Sequence, residues 1–210
     1  MIFSTLFGAL TQVAVFALIP FIVYAITQKK AKGFWEWIGV RAFPKSVLTI
    51  AILFTFVSLA LMSGPLYWMF RQRYLHTNLN VTVAVRSLVE TGWSVQTVMV
   101  TLIWACIQTS LSEEIFFRGF IAKRLISKMG FVPGNLLQAL IFGAIHLPGV
   151  LSFGVLPIGL VVVSTGTIGY ILGYLMERKS GGSILPGWIM HALSNILSTM
   201  LQAVFLTTII

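Results

Sequence analysis

Apolar positions along this chain do not alternate with polar ones for any distance. They gather into runs of about 20 residues separated by short polar groups, the pattern of helices that cross a ~30 Å hydrocarbon layer at 1.5 Å per residue. The runs fall near Thr5 to Ile26, Val47 to Met69, Ser94 to Phe116, Leu136 to His146 with some extension, Ile158 to Met176, and Ile184 to Leu206. Lipid offers no partner to a bare peptide group, so each run predicts a helix. The expected fold is an all-α, polytopic transmembrane bundle of about six spans in a single domain, residues 1–210, with no room for a soluble domain. After the first span, Phe34, Trp35 and Trp37 alternate with Glu36 ahead of Gly39, which predicts a short interfacial helix with its rings at headgroup depth. The longest polar connection, Arg71 to Gly92, carries Leu79, Val81, Val83, Val85, Leu88 and Val89, a content suited to lying on the membrane or re-entering it. Gly166, Gly169 and Gly173 recur at helical spacing in the fifth span, where small residues let another helix come close.

Composition agrees: 58% of the residues are hydrophobic and 9% charged, against about a quarter charged in soluble domains. The net charge of +9 is spread between the spans rather than gathered in one groove, which argues against nucleic acid as a partner. Lys29, Lys30, Lys32, Arg41 and Lys45 lie in the first connection, Arg118, Lys123, Arg124 and Lys128 in the third, and Arg178 and Lys179 in the fifth. The second holds Arg71, Arg73 and Arg86, and the fourth holds none. The positive-inside rule therefore places connections one, three and five in the cytoplasm and both termini outside. Basic residues follow the first span and none precedes it, the reverse of a secretory signal, so it reads as a retained span. Cys106 is the single cysteine and excludes an internal disulfide or a cysteine metal site.

Against this background the carboxylates stand out. The chain has five acidic residues and no aspartate, and two of the five, Glu113 and Glu114, are adjacent at the end of the third apolar run, followed by Arg118. A charge at membrane depth costs a few kcal/mol even on lenient scales, so such residues mark function by default. On a helix Glu114 and Arg118 share a face and can pair, whereas Glu113 points about 100° away and stays free for other work. Two further motifs carry polar groups on other spans: Phe142-x-x-x-His146, followed by Pro148 and Gly149, and His191-x-x-x-Asn195. Each alone reads as a helix-to-helix hydrogen bond. Three motifs on three spans read differently: if the spans pack together, Glu113, His146 and His191 surround one small polar chamber. A water held there by a carboxylate and an imidazole gains about 10²–10⁴ in rate from general-base activation. His191 and Asn195 can donate to the oxyanion formed on an attacked carbonyl, worth roughly 3–4 kcal/mol. The same Glu113, His146 and His191 form a ligand set for Zn²⁺ or another divalent metal, although no His-Glu-x-x-His is present. The sequence leaves metal-bound and carboxylate-activated water equally open.

At these residues the chain resembles the CPBP family, the CAAX-protease and bacteriocin-processing (Abi) membrane proteins that include the Ras-converting CAAX prenyl endopeptidases. The family pattern is Glu-Glu-x-x-x-Arg, then Phe-x-x-x-His, then His-x-x-x-Asn, and this sequence fills each position in that order between about Trp104 and Thr199. The Glu36 to Gly39 stretch is also similar to the family's segment after its first span. The resemblance implies an intramembrane endopeptidase in which Glu113 and His146 activate water, Arg118 holds Glu114, and His191 with Asn195 stabilises the oxyanion, with or without a metal. It implies as partners the bilayer and a membrane-associated peptide or protein, lipidated in the CAAX-cleaving members. The compact size suits a prokaryotic plasma-membrane protein, with the active site in the cytoplasmic half.

Two other functions use the same residues. Buried glutamates and histidines form proton relays in transporters, but the paired, interrupted half-repeats of that class are missing here. A non-catalytic scaffold or bacteriocin-immunity protein would need the pocket and not its chemistry. One length fits poorly: if the fourth span enters the membrane at Phe131, His146 lies roughly 22 Å along it, beyond mid-depth. Pro133 and Gly134 would ease this by keeping residues 131–135 outside the hydrocarbon.

Overall fold

The computed structural model describes residues 1–73, 81–151 and 154–209, with side chains described outside 66–73 and 208–209. Eight helices position the site among the described residues: α1 (Ile2–Gln28), the short α2 (Phe34–Ile38), α3 (Val47–Arg73), α4 (Val83–Thr91), α5 (Val95–Met129), α6 (Phe131–Ala144), α7 (Val155–Lys179) and α8 (Leu185–Ile209). No strand occurs among these residues, and six of the helices are long and apolar enough to cross a membrane. The chain is thus an integral membrane helix bundle, as the apolar runs predict.

Its surface is apolar where a soluble protein's would be polar. Only 11% of the most apolar window of α1 is buried, and Phe3, Phe7, Leu10 and Leu18 face outward, so α1 leans on α5 and otherwise meets lipid. The interior, by contrast, holds polar groups. Between α6 and α7, Asn135 Nδ2 donates to the Tyr170 carbonyl at 3.0 Å, and Gln138 Nε2 donates to Asn135 Oδ1 at 2.9 Å and to the Gly169 carbonyl at 2.8 Å. Ser164 Oγ on α7 donates to the Leu61 carbonyl on α3. In lipid, hydrogen bonds and close packing replace the hydrophobic force between helices. The glycine series in α7 serves that packing: a Cβ at Gly173 would lie 1.9 Å from Asn135 Oδ1, and one at Gly169 would lie 3.0 Å from Phe142.

Three boundaries differ from the apolar runs. The third span continues as one helix to Met129, well past Phe116, because its last turns pack against α2 and α6 instead of leaving the protein. The fourth begins at Phe131, directly after Gly130, so its first turn is helical despite Pro133 and Gly134; proline is tolerated there because the first amides of a helix lack internal partners. Part of the long polar connection becomes α4, whose N-cap Thr82 accepts from the Val85 amide and whose Ala84, Val85, Ser87 and Leu88 are buried against α5 and α8. Leu79 of that stretch lies outside the described residues.

At the basic end, α2 is wedged between α1 and α5. Phe34 and Ile38 are buried while Trp35 remains 54% exposed, and the Arg124 guanidinium stacks on Trp37 at 3.2 Å. Gly39 closes the helix at φ +99, and a Cβ there would sit 2.4 Å from the Gly182 carbonyl. The backbone so admitted lets Ile184 N donate to the Gly39 carbonyl at 2.9 Å. That bond fixes where α8 starts, and hence the height of His191.

Candidate functional site

The site forms where α5, α6 and α8 meet. Helix α5 is wound as a π-helix over Ile103–Leu111 and again over Glu114–Ala122, so Glu113 sits between the two stretches and Glu114 opens the second. Such winding is rare and concentrates at functional sites; its looser turn cannot be read from hydropathy.

Glu114 and Arg118 are both fully buried, with Arg118 Nη1 3.4 Å from Glu114 Oε1. The guanidinium lies 4.0 Å from the centroid of Phe142, over its face, so the phenylalanine of the second motif covers the cation of the first. Glu114 Oε1 also accepts from His191 Nδ1 at 3.2 Å. A Cβ at Gly187 would come within 2.9 Å of Glu114 Oε2, so the first turn of α8 presents bare backbone to the carboxylate. Glu113 turns the other way: its side chain is 16% exposed, its Oε2 lies 3.8 Å from His191 Nε2, and that oxygen has no hydrogen-bond partner among the described residues. One imidazole therefore spans the two carboxylates.

His146 follows the last turn of α6. Its Nδ1 is 2.8 Å from the Phe142 carbonyl; a carbonyl only accepts, so the proton is on Nδ1 and Nε2 of the neutral ring keeps its lone pair. Asn195, one turn beyond His191, donates from Nδ2 to Thr109 Oγ1 at 2.9 Å and to Ser110 Oγ at 3.1 Å. Both amide hydrogens are thus used within the protein, and donation to an oxyanion would require giving one up. Trp188 Nε1 adds a bond to the Cys106 carbonyl at 2.7 Å, so α8 is tied to the π-wound part of α5 at two heights. Thr109, Ser110, Trp188 and Gly187 belong to no motif, and the sequence gives no signal for them.

Glu113, Phe142, His146, His191 and Asn195 line one cavity of about 340 Å³, together with Trp104, Thr165, Ser194, Ser198 and Gln202, within the size range of small-ligand pockets. The three sequence motifs do share a chamber. Thr165 lies 10 residues from the start of α7 and 14 from its end, so along this helix the chamber is near the middle, and His146 is at a depth that suits it without any unwinding of residues 131–135. Glu113 and His191 approach each other, and among the described residues no group of three or more His, Cys or acidic side chains is arranged so as to hold a metal ion.

Residues 95–197 match the family model described as Rce1-like, type II CAAX prenyl endopeptidase. No curated protein and no solved structure matches the chain. The matched interval begins at α5 and contains all seven motif side chains, leaving α1 to α4 outside it.

Proposed function

We propose that this chain, whose residues 95–197 match the Rce1-like family model of type II CAAX prenyl endopeptidases, hydrolyses a peptide bond of a membrane-associated substrate inside the bilayer, with Glu113 as the base. The observation that carries this reading is that Glu113, His146 and His191, from three helices, face one cavity while Glu114 and Arg118 are sealed behind it.

The roles follow from the partners. Arg118 and His191 hold Glu114, which serves as the fixed acceptor that orients the His191 ring. Glu113, which lines the cavity and keeps one carboxylate oxygen without a hydrogen-bond partner among the described residues, takes a proton from water, and the lone pair at His146 Nε2 accepts that water's other hydrogen. The water oxygen bonds to the peptide carbonyl carbon and the C=O electrons move to oxygen. His191, anchored at Nδ1 by Glu114, donates to that oxyanion from Nε2 when this nitrogen carries a proton. When the tetrahedral species collapses, the C–N bond breaks and the amine leaves with the proton that Glu113 took, so a carboxyl and an amine are released and Glu113 is restored. Asn195 acts as a positioning residue that keeps His191 in register with α5 through Thr109 and Ser110. These proposed steps involve no metal.

The test compares the peptide products of membranes carrying the parent chain and Glu113→Gln by mass spectrometry, including a farnesylated CAAX peptide and its unprenylated form as added substrates. The reading requires products that vanish with Glu113→Gln. A biological effect that persists in that variant, with no product lost, would assign the protein to scaffolding or immunity instead.

A further inference from the structure

Away from the catalytic chamber, two cavities meet at Gly33 beside the interfacial helix. One, of about 380 Å³, is a cleft between α1 and the connection to α2, walled by Ala14, Leu18, Phe21, Phe34 and Trp35 with Lys32 at its rim. The other, of about 230 Å³, is a polar cup formed by Tyr24, Lys30, Glu36, Trp37 and Arg41 with Gln28. Gly33 lines both. The apolar cleft runs along the lipid-facing side of α1 for about 10 Å from Ala14 to Phe21, and the polar cup lies at the end where the basic connections gather. Hydrocarbon walls below and a cationic cup above match one kind of molecule, an amphiphile lying parallel to the helices.

We propose that this composite pocket binds an anionic phospholipid, with an acyl chain in the cleft and the phosphate at Lys30, Lys32 and Arg41. Charge complementarity selects the occupant. Three cations face one carboxylate, Glu36, and Arg41 donates one hydrogen bond to the Glu36 carbonyl from Nη2, which leaves its remaining donors for a ligand. Lys30 and Lys32 are exposed and reach headgroup depth by extending over apolar surface. A zwitterionic headgroup gains no net attraction from this excess, whereas each cation near an anionic headgroup adds about fivefold in affinity, so a net excess of two predicts a preference of roughly thirtyfold. The site is separate from Glu113 and its neighbours and does not depend on the peptidase reading.

Native mass spectrometry of the purified full chain, titrated with phosphatidylglycerol and with phosphatidylcholine of the same acyl chains, tests the proposal. The parent chain should retain phosphatidylglycerol with roughly thirtyfold preference. Lys30→Gln with Lys32→Gln should bring the two lipids to near parity, and Ala14→Phe, which fills the cleft and leaves the charges, should lower retention of both lipids while keeping the preference. Millimolar glycerol phosphate should fail to displace the bound lipid, because it lacks the chain. Equal retention of the two lipids by the parent, an undiminished preference in the double lysine variant, or displacement by glycerol phosphate alone would each overturn it.

Discussion

Replacing Arg118 by Met removes a charge that the protein has sealed completely, and the cost can be worked from the geometry. At 3.4 Å from Glu114, an effective dielectric of about 20 gives an attraction near 5 kcal/mol, and the face of Phe142 at 4.0 Å adds about 1–2 kcal/mol. Against this stands the desolvation of two ions, several kcal/mol each, so the intact pair is close to break-even relative to apolar residues of the same volume. Breaking it is another matter. Arg118→Met leaves Glu114 buried as an uncompensated anion beside Glu113, and loss of one partner of such a pair costs about 3–5 kcal/mol. For a chain of this length that is a fall in melting temperature of roughly 6–20 °C, read by tryptophan fluorescence of the purified protein during heating. Adding Glu114→Gln to Arg118→Met removes the stranded charge and should restore at least half of the loss, although the double variant stays inactive because His191 has lost its carboxylate anchor. Melting of Arg118→Met within about 2 °C of the parent, or a double variant less stable than the single one, would refute the reasoning.

Other outcomes follow from single contacts. Gly187→Ala puts a Cβ 2.9 Å from Glu114 Oε2 and should lower cleavage at least tenfold while the melting temperature changes little, since about 1 Å of misplacement can cost up to 10² in rate. Gly173→Ala forces a methyl onto Asn135 Oδ1; it should destabilise by about 1–3 kcal/mol in thermal melts, and Asn135→Ala should recover part of that by removing the obstructing amide. Asn195→Ala frees Thr109 and Ser110 and should reduce kcat with KM nearly unchanged, and Asn195→Gln should not rescue it because the longer side chain overshoots both hydroxyls. Exhaustive treatment with a zinc chelator should leave cleavage within about twofold of its starting rate; a loss that added Zn²⁺ repairs would show that a metal completes the Glu113 and His191 pair.

The spans were legible because lipid makes the signal one-dimensional: a run of about 20 apolar residues has few fates other than crossing the membrane. Their ends were less so. The extension of α5 to Met129 passes through Lys123, Arg124 and Lys128, which look like a loop until α2, α6 and the stacked Trp37 provide a surface for that part of the helix to pack on. The same holds for α4, whose helical register became meaningful only when its buried face found α5 and α8.

In the site, the motifs marked residues that share one cavity, but spacing did not show how their partners would be shared. Four-residue spacing correctly pairs Glu114 with Arg118, and the isolation of Glu113 follows from helix geometry alone. Spacing within one helix says nothing about the third dimension, however, and there His191 turned out to bridge both carboxylates, while Asn195 spent its amide on Thr109 and Ser110 of α5. Those contacts depend on the π-wound turns and on the bare backbone at Gly187, neither of which leaves a periodic trace. The physical consequence is that the apparatus is divided. A buried layer of Glu114, Arg118 and Phe142 sets the His191 ring, and a partly exposed layer of Glu113 and His146 lines the cavity. On the proposed reading, charge that stays put is placed where water cannot reach, and the base that must exchange a proton is placed on the wall of the cavity.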